Sequence, residues 1–356
     1  MSRRIILIRH AMPDIPLGER WCVGGRCDLP LGRLGRIQAA RLPFVPELKN
    51  IKTVFCSSLI RAIETARPLC AEFIPMPGLE EQDMGVWDGL SFTEIMARWP
   101  ELYFAREQDA SLLPEGAETA EALKARMEEA VMRCQRQSDG DIAIVSHKSA
   151  IASLVGHRSA LGYTSLSVLR EQDGRLQVDS VGIAPHPEPE DDLCRAMLRA
   201  SGADEALLAH CQAVADCADE LCRVLNEQGA GLDPLLVHRG ALLHDLAEGE
   251  RDHAVVGGAW LRELGYPELA EIVRQHTEPD SDTLNEAGLV FLADKLVRGD
   301  RLVRLEERFS SSLGKCTTPE ARSAHARRLS LARKLKIEIN RLCGAAVIEL
   351  NRRQHG

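Results

Sequence analysis

Three short, uninterrupted apolar runs stand out in the first half of the chain: Ile5 to Ile8, Thr53 to Cys56 and Ile142 to Val145, each followed by polar residues. Runs of this length without alternation are what a strand buried on both faces requires. Stretches with helical spacing lie between them, and this alternation predicts an α/β fold around a largely parallel sheet. Two further runs, Ser165 to Leu169 and Leu176 to Val181, alternate around Asp173-Gly174 and predict a hairpin at the sheet edge. The pattern breaks at Ala184-Pro185-His186-Pro187-Glu188-Pro189-Glu190-Asp191-Asp192, where alternating prolines and four acids argue against a helix or a paired strand. Beyond it the helical period dominates. The expected organisation is an α/β domain over residues 1–183, a linker over 184–192, and an all-α domain over 193–356. The last ends in a long helical pattern from Pro319 to Arg353 with more basic than acidic residues, for which a solvated helix face is the simplest account.

Composition narrows the function classes. A chain of 356 residues with 45% hydrophobic content can build a core in each of two domains. A formal charge of -9 argues against general binding to nucleic acid or to an anionic membrane surface, although locally placed arginines could still hold small anions. The 11 cysteines are scattered without a CxxC pair, which suits reduced thiols in a cytoplasm. No apolar run is long enough to cross a bilayer, and the run after Arg3-Arg4 stops at Arg9, so the expected location is cytoplasmic.

Chemistry first enters at Arg9-His10, where the first strand ends. An imidazole beside a guanidinium is a nucleophile with a phosphate anchor next to it. Further clusters follow in order: Gly25-Arg26-Cys27-Asp28-Leu29-Pro30-Leu31, Gly35-x-x-Gln38-Ala39, Ser57-Ser58-Leu59-Ile60-Arg61-Ala62-Ile63-Glu64-Thr65-Ala66, Glu81-Gln82-Asp83-Met84-Gly85-Val86-Trp87-Asp88-Gly89, and Val145-Ser146-His147. In an α/β fold, loops beyond the carboxyl ends of parallel strands share one crevice, so these clusters can converge. Singly, each has a plain structural alternative: Arg61 could cap a helix face, Glu81 could be a surface acid beside Glu80 and Asp83, and His147 could be a core histidine.

Taken together, the ordered motifs resemble the histidine phosphatase superfamily, which includes phosphoglycerate mutases and α-ribazole phosphatases, over about residues 3 to 183. The resemblance implies an α/β three-layer sandwich in which His10 accepts the phosphoryl group, Arg9, Arg61 and His147 bind its oxygens, and Glu81 gives a proton to the leaving group. A protonated imidazole and guanidinium forks suit the charge on phosphoryl oxygens. Glu81 would itself have to carry a proton. No metal is implied for this domain, and Arg26 and Lys148 are further candidates for substrate binding. Lys148 departs from the pattern, since similar proteins usually have glycine there. The segment after His147 is also short, which leaves the leaving-group specificity open and favours a phosphatase over a mutase.

In the second half, His210 shares a helical face with Val214, Ala218, Leu221 and Leu225, His276 follows Leu269 and Val273, and Asp294 follows Ala287 and Val290. His244-Asp245 follows Ala241-Leu242-Leu243, and His253 comes shortly after. An ionised aspartate on an apolar face needs a cation or dense hydrogen bonding, and four histidines with two aspartates suit divalent transition metals. The arrangement is similar to the HD superfamily of metal-dependent phosphohydrolases over about residues 193 to 310, with His210, His244-Asp245 and Asp294 matching its defining ligands. His253 and His276 extend the likeness to two-metal members, including bacterial diadenosine tetraphosphate hydrolases. This likeness implies two divalent ions (Mn, Fe, Ni or Zn) bridged by Asp245. Lys295, Arg298 and Arg301 are spaced to line the mouth of such a site, though a solvated helix face explains them equally well.

The combined expectation is a two-domain phosphohydrolase acting on phosphorylated small molecules, with nucleotides as the candidate class for the helical half. Its rivals are a helical half that binds metal and nucleotide without turnover, and a first half that passes its phosphoryl group to an acceptor other than water. The identity of either substrate, the metal and the oligomeric state are left open by the sequence.

Overall fold

The computed structural model describes residues 3–16, 18–70, 72–172 and 175–343. The chain divides into two compact units, Met1–Pro187 and Glu188–Gly356. The first runs β1 (Arg4–Arg9), α1 (Arg33–Arg41), β2 (Thr53–Cys56), α2 (Ile60–Ala66), β3 (Ile74–Pro75), α3 (Phe92–Arg98), α4 (Pro100–Gln108), α5 (Ala120–Arg136), β4 (Ile142–Ser146), α6 (Lys148–Val155), β5 (Leu166–Gln172) and β6 (Arg175–Ile183). These strands form one sheet in the order β3-β2-β4-β1-β5-β6. The pairs β2–β3, β2–β4 and β1–β4 are parallel, and β1–β5 and β5–β6 antiparallel. The expected hairpin is therefore present as β5 and β6, with β6 at the edge, while Asp173 and Gly174 lie outside the described residues.

The apolar runs are continuous because both faces of the sheet are covered. Ile5, Leu7, Phe55, Ile142 and Ile144 pack with Met127 and Val131 of α5 and with Ala150 and Ile151 of α6. Their neighbours Ile6, Ile8, Val54, Cys56, Ala143 and Val145 point the other way, onto Leu42 and onto Ala62 and Ala66 of α2. The result is a helix–sheet–helix sandwich.

Several motif residues prove to be structural supports for the loops at the strand ends. The backbone N–H of Met12 donates to Gln38 Oε1 at 2.9 Å, that of Ala11 to Thr65 Oγ1 at 2.9 Å, and that of Leu31 to Glu64 Oε2 at 2.7 Å. Asp28 accepts from the Ile60 N–H at 2.7 Å, at the start of α2. Gly35 leaves no room for a side chain, since a Cβ there would lie 1.9 Å from the Met12 carbonyl oxygen. Gly35→Ala is expected to destabilise the first unit by roughly 3 kcal/mol and to displace the loop after His10. Denaturant unfolding together with turnover on an aryl phosphate checks both effects.

The second unit runs α7 (Asp191–Ser201), α8 (Glu205–Glu227), α9 (Pro234–Leu243), α10 (His253–Glu263), α11 (Pro267–Gln275), α12 (Glu286–Leu296), β7 (Val297–Arg298), β8 (Arg301–Leu302), α13 (Leu305–Leu313) and α14 (Pro319–Cys343). Residues 184–190 carry no regular structure, but α7 already begins at Asp191. The expectation that Asp191 and Asp192 stay outside any helix is corrected: carboxylates in a first turn are favoured by the positive end of the helix dipole. Helix α12 is buried from Ala287 through Asp294, which makes it the centre of this unit. The expected C-terminal helix is α14 as far as Cys343, and its continuation to Arg353 lies outside the described residues. Among the described residues no helix is long and apolar enough to cross a membrane, and all 11 cysteines are free.

Candidate active sites

Strand register brings the first site together. Arg9 pairs with Ser146 across parallel strands β1 and β4, so the next residues, His10 and His147, emerge side by side at the carboxyl edge. Their ring centroids are 4.9 Å apart. On the far side of β4, the Ser57 N–H donates to the Val145 carbonyl at 2.9 Å, and the chain turns into α2, whose second residue is Arg61. Arg61 is fully buried and is fixed by donating to the carbonyls of Cys27 at 2.7 Å and Gly24 at 3.0 Å. Arg9 donates to the Leu161 carbonyl at 2.8 Å, and its guanidinium lies 3.9 Å from the centroid of the Tyr163 ring.

The donors left over are informative. Nε of Arg9, Nε of Arg61 and both ring nitrogens of His147 are buried without a hydrogen-bond partner among the described residues. Each such orphan costs about 1–3 kcal/mol, so a cluster of them is retained where an oxygen-rich anion satisfies it. His10 is oriented by its Nδ1–H, which donates to the Ala11 carbonyl at 2.7 Å and leaves the lone pair on Nε2. Burial, then the charges of Arg61 and Arg9, hold the His10 pKa well below the usual imidazole value. Burial and the neighbouring His10, Arg61 and Arg9 do the same to His147. Three cationic or titratable neighbours therefore disfavour a proton on His147 while no anion is bound.

Glu81 also reaches this site, although its surroundings were not foreseen. Its carboxylate accepts N–H groups from Gln82 at 2.8 Å, Ser149 at 3.1 Å and Ala150 at 3.1 Å, so it sits at the amino end of α6. Arg9, His10, Glu81 and Lys148 line a cavity of about 480 Å³. Lys148 therefore faces the cavity. Arg26 does not: it ion-pairs with Asp83 at 2.8 Å and is largely exposed, away from the cavity lining. The cations missed by sequence reasoning are Arg20, Arg106 and Arg158, which line the cavity with Trp21, Trp87 and Tyr103. Tyr163 was missed as well, although its position just before β5, the partner of β1, was a usable signal.

The second unit assembles its own cluster. Asp245 Oδ2 lies 3.9 Å from His210 Nε2 and 3.2 Å from His244 Nε2, while its Oδ1 lies 3.3 Å from His276 Nε2 and 3.4 Å from His253 Nε2. Asp294 Oδ1 is 3.4 Å from His210 Nε2 and 4.0 Å from His244 Nε2. Two donor sets result, His210–His244–Asp294 and Asp245–His253–His276, each with its ligand atoms within 4.8 Å of one another. One carboxylate thus stands between them with an oxygen toward each. All six sequence candidates are brought together.

These residues fit divalent metals by three independent signs. The Nδ1–H groups of His210, His244 and His276 donate to the carbonyls of Gly299 at 2.8 Å, Ala241 at 2.7 Å and Val273 at 2.7 Å, which aims each Nε2 inward. His253 and His276 place their Nε2 atoms 3.2 Å apart, a contact that two ring nitrogens sharing a cation explain. The buried Nε2 of His244 lies 3.2 Å from Asp245 Oδ2 and has no hydrogen-bond partner among the described residues. Burial alone would raise the Asp245 carboxyl, but His244, His253 and His276 hold it far below the usual range. Lys295 pairs with Asp294, and Arg298 lines a cavity with His210. Arg301 is the exception to the expected row: it is exposed and faces Asp300.

The sequence profile of the histidine phosphatase superfamily (branch 1) matches residues 5–183. The chain belongs to this superfamily. The profile of the HD domain matches residues 207–299, so this histidine phosphatase carries both domains in one chain. Among similar proteins, a bifunctional protein of Mycobacterium tuberculosis is 30% identical over 158 residues, covering 43% of this chain and 43% of its own length. Glucosyl-3-phosphoglycerate phosphatase of the same organism is 28% identical over 166 residues, covering 43% of this chain and 74% of its own. The chain spans less than half the length, 43%, of the first of these relatives. The solved mycobacterial glucosyl-3-phosphoglycerate phosphatase is 25% identical with a TM-score of 0.45, covering 51% of this chain and 100% of its own.

Proposed function

We propose that the first unit hydrolyses phosphomonoesters of small molecules through a phosphohistidine at His10, and that the second is a metal-dependent phosphohydrolase of nucleotide-like substrates. The observation that carries the first reading is the group of buried, unpartnered nitrogens on Arg9, Arg61 and His147 around an oriented His10. His10 Nε2 attacks phosphorus, the bond to the leaving oxygen breaks, and Glu81 supplies the proton that this oxygen takes up. Water then attacks the phosphohistidine, its proton passes to Glu81, and orthophosphate leaves with His10 restored. Negative charge on the bound phosphate offsets Arg9 and Arg61, which favours a proton on His147 during transfer. Arg20, Arg106, Lys148 and Arg158 around the cavity favour an anionic leaving group.

The acidic limb of kcat/KM tests the state of His10. A group whose pKa is lowered stays neutral to lower pH, so the limb is expected well below the ordinary imidazole value of 6.5. A limb centred at or above that value contradicts the buried, neutral nucleophile.

In the second unit, His210, His244 and Asp294 would hold one divalent transition ion, and Asp245, His253 and His276 the other. When bound, such ions supply Lewis acidity and neutralise charge on phosphate oxygens. The protein's own part is to hold Asp245 ionised between the two donor sets, to fix three imidazoles by backbone carbonyls, and to offset Asp294 with Lys295. Phosphodiester turnover by the full chain, with and without added manganese, tests this reading.

A further inference from the structure

The helices that follow the HD match carry a feature of their own. Two adjoining cavities of about 280 and 270 Å³ share Arg308, Ser312 and Lys315 as lining residues. One reaches Lys295, His325 and Arg328, and the other reaches Arg298 and the cluster residue His210. Among the described residues no aspartate or glutamate lines either cavity, in a chain whose formal charge is -9. Nε of Arg308 and Nε of Arg328 are buried without a hydrogen-bond partner. Among the described residues no carboxylate pairs with Arg298, Arg308, Lys315 or Arg328.

The rest of α14 behaves differently. Arg327 pairs with Glu278 at 3.2 Å, Lys334 with Asp282 at 3.1 Å, Arg333 with Glu306 at 3.8 Å and Arg341 with Glu338. Four of its basic residues are therefore paired, while Arg322, whose Nε donates to the Cys316 carbonyl at 3.2 Å, and Lys336 have no carboxylate partner among the described residues. The groove is where unpaired cations gather: Arg298, Arg308, Lys315 and Arg328 all line it.

We propose that this groove is a subsite for a phosphate chain, in which Arg308, Arg328 and Lys315 hold phosphates beyond the one at the His/Asp cluster. Guanidinium forks suit phosphate oxygens, and buried orphan N–H groups gain most from such partners. The subsite rests on the reading of the second unit as a phosphohydrolase. It narrows the substrate class to compounds with consecutive phosphates, either a nucleoside polyphosphate or free polyphosphate. Its lining from α13 and α14 lies outside residues 207–299, so nothing in the HD match assigns it.

Calorimetric titration of the full chain with tripolyphosphate, and in parallel with ATP, tests the proposal. Arg308→Ala, Arg328→Ala and the exposed-site variant Lys315→Glu are each expected to raise Kd for tripolyphosphate about tenfold. Lys315→Glu keeps the test valid if an arginine variant fails to fold, which a thermal melt detects. Equal weakening for both ligands supports a chain subsite open to either source, and weakening for tripolyphosphate with little change for ATP marks free polyphosphate as its ligand. Unchanged tripolyphosphate affinity in all folded variants overturns the proposal, as does weakening confined to ATP. Metal content and phosphodiester cleavage of the wild-type chain are measured alongside. Two bound metals and turnover, with tripolyphosphate affinity insensitive to the variants, reject the subsite alone; no metal and no turnover, with sensitive affinity, reject the phosphohydrolase reading alone.

Discussion

His10→Ala lowers metal-independent hydrolysis of an aryl phosphate by at least about four orders of magnitude, because it removes the attacking nitrogen and leaves only the anion-binding groups. Arg9, Arg61 and His147 remain in place in that variant, so phosphate or vanadate still binds. Loss of turnover with retained anion binding is the combination expected of a nucleophile, whereas a positioning role for His10 would lower both. Metal-dependent phosphodiester cleavage by the same variant is expected to match the unaltered chain, since every candidate ligand lies beyond residue 207. Activity on the aryl phosphate that survives unchanged in the presence of a chelator contradicts the assignment.

Asp245→Ala has the second largest effect. The carboxylate stands within 4 Å of four imidazole Nε2 atoms, with Oδ2 toward His210 and His244 and Oδ1 toward His253 and His276. Its removal takes a ligand from the set with His253 and His276, removes the oxygen that faces His210 and His244, and leaves clustered imidazoles to repel a second cation. Elemental analysis of the intact chain, purified without chelator, is expected to find about two transition ions per chain. The variant should retain at most one, and phosphodiester cleavage should fall at least about a thousandfold, with aryl phosphatase activity at His10 unchanged. Equal metal content in both proteins contradicts the bridging role.

The parts of the fold that could be read early share one physical trait. A parallel strand covered on both faces leaves an unbroken apolar run, and its end fixes where a polar side chain must emerge; that made Arg9-His10 and Ser146-His147 legible as strand-end clusters able to converge, and the β1–β4 register makes them neighbours. The His and Asp residues at helical offsets from apolar neighbours were legible for the same reason, because burial of a metal-capable group leaves little else for it to do.

What escaped depends on contacts with no local signature. Arg26 follows the motif spacing but turns to Asp83, a partner 57 positions away. Arg20, Arg106 and Arg158 come from loops and a short helix with no shared pattern, and only the folded chain gathers them around His10. The basic residues of α14 read as one solvated face, yet Arg328 faces a cavity while Arg327 beside it pairs with Glu278. Asp191 and Asp192 were assigned to a linker because the prolines before them dominate the composition, although acids are favoured in a first helical turn.

Two chemically separate sites, one covalent and one metal-dependent, are the core of this interpretation. The most direct measurement is trapping of the full chain by an alkaline denaturing quench during turnover of a labelled phosphomonoester, in excess chelator, with the labelled residue located by peptide mass spectrometry. The expected result is a single acid-labile phosphoryl group on His10, formed without metal and absent from His10→Ala. Label on another residue, or label that appears only when metal is restored, contradicts it.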